Sequence, residues 1–224
     1  MLDLNFLQDE VFPNLMKGLG VSIRLIVPSA VIGLCLGVLI GTLRVYGNRA
    51  LRMASDLFVV VFRGVPLVVQ LFIWYFGLPY FGVYLSPFLA SVVGFSLCSA
   101  AYHSEYVRGA LLSIRRGQLM AAEALGFSKA GMIVSVILPQ AMRRALPGCG
   151  NEIIYLIKYS SLAYMITCIE LTGEAKVIAA LTFRYMEVFL ATGVVYLVMV
   201  SFATWLLNRV EDRLSLPGFE RHRI

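Results

Sequence analysis

Charge is what this 224-residue sequence has least of: Asp, Glu, Lys and Arg together make up 14% of it, where an ordinary soluble domain carries about 25%. With 59% hydrophobic residues and a mean hydropathy of +0.82, that scarcity excludes a water-solvated surface and leaves the bilayer as the solvent. Cys35, Cys98, Cys149 and Cys168 stand singly in or beside apolar runs with no CxxC pair, so they read as small hydrophobes. Only two histidines occur, His103 and His222, and neither has metal-ligand spacing; His103 reads as an interfacial structural residue near the end of an apolar run. There is no G-x-x-x-x-G-K-[ST] loop to cradle a nucleotide and no G-x-S-x-G turn, so the chain carries no recognisable catalytic constellation. The net charge of +6 does not imply nucleic acid, because the basic residues cluster between apolar segments.

What is present is a series of long uncharged runs. Leu25 to Leu43, Gly64 to Tyr102 and Val188 to Leu207 contain no Asp, Glu, Lys or Arg, and each is long enough for one or two helices across a core of about 30 Å. Gly77-Leu78-Pro79 through Ser86-Pro87 splits the middle run into two spans. A further run from Leu146 to Ile169 holds Glu152 and Lys158 and reads as a span with buried polar groups. These readings predict an all-α integral membrane domain of one piece, 1–224, with five spans near 19–43, 56–78, 86–104, 146–169 and 187–208. The acidic N-terminus lacks the positive charge of a secretory signal, so the first span is expected to remain as an anchor. Arg44, Arg49 and Arg52, then Arg108, Arg115, Arg116, Lys129, Arg143 and Arg144, then Arg209, Arg213, Arg221 and Arg223 fall on one side of such a bundle. The positive-inside rule makes that side cytoplasmic and puts the N-terminus outside, with Glu170, Glu174, Lys176, Arg184 and Glu187. Ser29, Gly33, Gly37 and Gly41, at intervals of four, mark a packing face on the first span.

The segment 117–139 is too short and apolar for an ordinary loop: Gly126 reads as a helix stop and Pro139 as the close of a second, apolar helix, a pair that can dock into a partner's groove. Gly64 and Pro66 flank one residue near mid-bilayer, which predicts an interrupted helix with Pro66 in the first turn of its second half. The freed N–H groups there either attract a carboxylate or belong to a kink satisfied by neighbouring helices. Arg63 serves either a substrate carboxylate or an internal acidic partner. Glu152, Tyr155 and Tyr159 share one helical face and Lys158 lies on another; the face either lines a path or a Glu152 or Lys158 salt bridge holds the bundle together.

These residues carry a family resemblance. Met120-Ala121-Ala122, three residues, Gly126, nine residues and then Ile137-Leu138-Pro139 resembles the cytoplasmic loop of ATP-binding cassette importer permeases, E-A-A, Gly, I-x-L-P. Phe62-Arg63-Gly64-Val65-Pro66-Leu67-Val68-Val69-Gln70-Leu71 resembles the F-R-G-T-P-L-x-V-Q-L segment of the polar amino-acid branch, as do Ser104-Glu105, Ala145-Leu146-Pro147 with Asn151-Glu152, and Lys158 with Ser160-Ser161-Leu162. The sequence departs from the family at Met120, where Glu is usual, and at Tyr159, where Asp is common.

The resemblance implies a type I importer permease in the bacterial inner membrane that moves an amino acid inward. Its implied partners are a second permease subunit, identical or homologous, two ATPase subunits that hold ATP and Mg, and an extracytoplasmic solute-binding protein; the chain itself would bind no cofactor. Arg63, Gly64, Val65, Pro66, Ser99, Glu105, Glu152, Tyr155, Lys158 and Tyr159 are the expected path residues. Met120, Ala121, Ala122, Glu123, Gly126 and Pro139 are the expected ATPase-coupling residues.

Overall fold

The computed structural model describes residues 4–214, all helix and connecting turns, with no strand among them. Asp3, Arg221, His222 and Arg223 lie outside the described residues. Eight helices follow in order: α1 Leu4–Tyr46, α2 Arg49–Gly64, α3 Leu67–Phe81, α4 Pro87–Leu112, α5 Arg116–Ala124, α6 Lys129–Ile166, α7 Leu171–Thr182 and α8 Tyr185–Leu214. Helices α1 and α8 are each long and apolar enough to cross a bilayer, and the bent pairs α2–α3 and α6–α7 qualify when each is counted as one span. The predicted third span falls within α4, 26 residues long, whose apolar character is diluted by Ser91, Ser96, Ser99, His103 and Ser104, every one of them buried.

The bundle is organised by the crossing of α1 and α4. Ser29, Gly33, Gly37 and Gly41 are all buried, as the four-residue spacing predicts. A methyl group added at Gly33 would stand 2.9 Å from Ser99 Cβ, one at Gly37 3.0 Å from the Ala100 carbonyl, and one at Gly41 2.9 Å from the Ser104 carbonyl. Backbones this close gain dispersion contact that lipid cannot match. His103 is fully buried inside the bundle against Gly37, with Nδ1 2.9 Å from the Ser99 carbonyl and 3.0 Å from Ser99 Oγ, as a structural residue of the crossing.

Several boundaries differ from the sequence reading, each for a local reason. The first helix runs back to Leu4, beyond the predicted start at 19, because Val11 and Leu15 pack on Leu171, Ala175 and Val188. Helix α2 begins at Arg49, capped by Asn48 Oδ1 accepting from the Leu51 N–H at 2.9 Å. The span predicted over 56–78 is then bent by 103° between α2 and α3. Pro139 does not close a helix. Helix α6 continues through it, because the wide turn Ile133–Ile137, in which the Leu138 N–H reaches back to the Ile133 carbonyl, precedes the proline. The predicted fourth span, 146–169, is thus the far part of a helix that starts at Lys129.

The stretch after it, expected as an outer connection, forms α7, set at 52° to α6 and capped by Glu170. Glu170 is fully buried. Its carboxylate accepts from Thr172 N at 3.1 Å, Gly173 N at 3.0 Å, Tyr196 Oη at 3.1 Å and Ser22 Oγ at 3.3 Å. One satisfied carboxylate thereby ties α1, α7 and α8 together.

Gly20 has nothing within 4 Å of an added methyl group, unlike Gly37. Gly→Ala raises helix propensity by up to about 1 kcal/mol at either position, so only the crowding differs. Thermal unfolding in detergent is expected to show a lowered Tm for Gly37→Ala and an unchanged or raised one for Gly20→Ala. Equal shifts would mean that the crossing is not close-packed.

Candidate functional site

The break in the α2–α3 pair is built from three residues. Gly64 is a weak helix former, Val65 is driven out of the helical region by the following proline, and Pro66 offers no N–H. Val65 is extended, with φ −95° and ψ 130°, and Pro66 stands at the N-cap of α3, not in its first turn as expected. No side chain caps the first turn of α3. The carbonyls freed by the break are satisfied from within: Gln70, 4% exposed, donates its Nε2–H groups to Phe62 O at 3.0 Å and Val65 O at 2.9 Å. Sequence reasoning missed this role, although a lone amide four residues after Pro66 in an uncharged run was its signal.

Beside the break lies an ion cluster. Arg63 Nη1 sits 2.9 Å from Glu105 Oε1, so Arg63 has an internal partner, and its guanidinium lies 5.2 Å from the Tyr102 ring centroid. Glu105 is also paired with Arg44 at 3.2 Å and Arg108 at 3.2 Å, while Arg44 reaches Asp56 at 2.7 Å. Three arginines from α1, α2 and α4 share two carboxylates, and the cluster is left one charge positive. Arg44 and Asp56 had not been singled out from the sequence.

On α6, Tyr155 and Tyr159 stack with ring centroids 6.0 Å apart, and Tyr155 is exposed. Glu152 is only 3% exposed and has no ion pair or hydrogen bond among the described residues, and Lys158 has no ion pair among them either, so the alternative of a Glu152 or Lys158 salt bridge is not realised there. Lys158 is exposed, and its Nζ lies 4.3 Å from the Tyr155 ring centroid. Ser99 lies away from this face, buried under Gly33.

The segment 117–139 forms a separate element at one end of the bundle. Helix α5 stops where Gly126 adopts φ +79°, a conformation that favours glycine, and the Phe127 N–H bonds the Ala122 carbonyl at 3.1 Å. Ala122 is buried with Ile114, Met132 and Ile137. Ala121, Glu123 and Pro139 are exposed, as are Met120 (63%) and Leu125 (78%). Gln140 Nε2 on α6 donates to Gln118 Oε1 of the element at 3.3 Å, and Arg144 Nη1 donates to Ser113 O at 2.7 Å and Ser113 Oγ at 2.9 Å, joining α6 to the end of α4 at the element's base.

Residues 33–216 match the family described as binding-protein-dependent transport system inner membrane component. The chain belongs to that family. Among these inner membrane components it is 40% identical over 206 residues to a probable amino-acid ABC transporter permease, YckA, of Bacillus subtilis (strain 168), covering 92% of this chain and 91% of the relative. It is 37% identical over 204 residues to the arginine transport system permease ArtQ of the same organism, covering 91% and 93%. The crystal structure of an amino acid ABC transporter with histidines superposes with a TM-score of 0.81 at 32% identity, covering 90% of this chain and 94% of that one. The fold of a type I importer permease and membership among amino-acid ABC permeases follow from these matches.

Gln70→Leu keeps the volume and removes both donors, leaving two buried carbonyls unpaired at about 1–3 kcal/mol each. The substituted protein is expected to melt at lower temperature than Gln70→Asn, which retains an amide. A Tm equal to that of the unsubstituted protein would mean that the break is held by other contacts.

Proposed function

We propose that this chain is the permease subunit of an ATP-driven importer that passes an amino acid from an extracytoplasmic solute-binding protein into the bacterial cytoplasm. It spans the inner membrane five times with its N-terminus outside. It works beside a second permease subunit, identical or homologous, and on two ATPase subunits that hold ATP and Mg.

The observation that carries this reading is the α5 element: a short helix ended by left-handed Gly126, presenting exposed Met120 and Leu125 at one end of an otherwise apolar bundle. An exposed apolar knob backed by a buried one suits docking into a groove on a globular partner. The crowding of Arg and Lys at the same end supports its assignment to the cytoplasm. The interrupted helix at Gly64–Pro66, with Tyr155, Tyr159 and the Arg63 cluster, supports a polar path through the bundle.

Cysteines introduced in the Tyr80 to Val83 turn are expected to label with an impermeant thiol reagent from outside, and one at Asn48 only after the inner face is opened. The reverse pattern would sink the topology.

Gly126→Asp puts a side chain at φ +79°, a strain of about 1 kcal/mol or more, and is expected to lower ATPase co-purification and transport. Met120→Ala is expected to uncouple transport more than Glu123→Ala does, since the exposed side chain at the head of the motif is apolar here. Full ATP-coupled uptake in both Gly126→Asp and Met120→Ala would remove α5 as the docking element.

In the path, Tyr159→Phe is expected to be mild. Tyr159→Ala and Val65→Trp, made in every copy of the subunit, are expected to cut the initial uptake rate; unchanged uptake and substrate preference in both would take these positions out of the path.

A further inference from the structure

Asn151, Tyr155 and Lys158 of α6, at i, i+4 and i+7, are all exposed, and Lys158, expected on another face, lies over the Tyr155 ring and so joins the exposed face. Near it Arg63 is also exposed, its side chain 41% accessible. The carboxylates that adjoin this face are withdrawn from it. Glu105 is shared among three arginines, Glu152 is 3% exposed, and Glu170 is fully buried with four hydrogen-bond donors around it. A ligand approaching the face therefore meets accessible cations, and the one partly accessible carboxylate beside it, Glu105 at 24%, is already shared among three arginines.

Beside Lys158 a cleft of about 370 Å³ opens between the end of α6, the start of α7 and α8, lined by Lys158, Ser161, Thr172, Phe189, Thr192 and Tyr196. Its hydroxyl protons are already committed. Ser161 donates to the Lys158 carbonyl at 2.8 Å, Thr192 to the Val188 carbonyl at 2.8 Å and Tyr196 to Glu170 Oε2 at 3.1 Å, so Thr172 is left to donate to Tyr196 Oη at 2.8 Å. What these side chains still offer a ligand is acceptor lone pairs on the hydroxyl oxygens and, from Lys158, an ammonium with no ion pair among the described residues. That is the complement of a zwitterion: an anion for the ammonium, and a primary ammonium for the hydroxyl oxygens.

We propose that this cleft is a substrate subsite in which Lys158 binds the α-carboxylate of an amino acid, the hydroxyl oxygens receive its α-ammonium, and the transported amino acid has a neutral or acidic side chain, never a cationic one. The assignment rests on the transport reading above and narrows its substrate class. A second cation, brought by an arginine- or lysine-like side chain, would find Arg63 and Lys158 and, as its only partly accessible carboxylate, a Glu105 already shared among three arginines. The headgroup of phosphatidylethanolamine has the same chemistry, an anion and a primary ammonium, and is the alternative source of a ligand.

The test uses the whole transporter, permease with its ATPases and solute-binding protein. The proteinogenic L-amino acids are first ranked by ATP-driven uptake in proteoliposomes. The best one is then measured, radiolabelled, for equilibrium binding to the permease–ATPase complex without the solute-binding protein, with short-chain phosphatidylethanolamine as competitor.

A neutral or acidic amino acid is expected to rank first, with binding weakened about tenfold or more by Lys158→Gln and kept within about threefold by Lys158→Arg. Co-purification of the ATPase with each variant checks folding. Lysine or arginine ranking first, binding indifferent to Lys158→Gln, or binding to the solute-binding protein but not to the complex would overturn the proposal. So would displacement by phosphatidylethanolamine with no amino-acid binding of its own. ATP-driven uptake of no amino acid at all would bring down the transport reading itself, whereas uptake undiminished by Lys158→Gln would bring down the cleft assignment alone.

Discussion

Everything else in the bundle is hung on the contact between α1 and α4. Three glycines on one helix meet serine and alanine backbone and the Cβ atoms of Ser99 and His103 on the other at distances that exclude even a methyl group. Inside a bilayer no hydrophobic force drives two helices together, so that close fit does the work that an apolar core does in water. Once α4 is fixed against α1, Glu105 is brought beside Arg44, and α2 is drawn in through Arg63 and Asp56. At the other end Ser22 on α1 meets Glu170, and α7 and α8 follow. Glu105 and Glu170, carboxylates that would be costly against lipid, are thus spent as fasteners between helices, each with its partners.

Legibility in the sequence followed the physics of each element. The Ser29, Gly33, Gly37, Gly41 stripe needed only helical spacing to be read, and it is the packing face. Gly126 was readable because a helix stop with a left-handed glycine is a local matter. Pro139 was misread for the opposite reason. A proline ends a helix only if the preceding turn stays tight, and the widened Ile133–Ile137 turn, which no residue pattern announced, carried the helix through.

Glu170 shows the same limit from the side of charge. Counted by the positive-inside rule it was one acidic residue among several in an outer connection, whereas Ser22 and Tyr196, distant in sequence, supply the donors that bury it. At the site, the family motifs marked Gly64–Pro66, Lys158 and Tyr159, but not what surrounds them. Gln70 as the donor to the broken carbonyls, the sharing of Glu105 and the isolation of Glu152 are tertiary facts.

The Lys158 face also bears on how the protein meets the membrane. Each charge left facing acyl chains costs about 2.5–3.5 kcal/mol on insertion scales, and the bilayer must thin or admit water to lower that cost. A bilayer laid directly over Lys158 would have to deform in that way, whereas water or a polar partner over the face removes the cost.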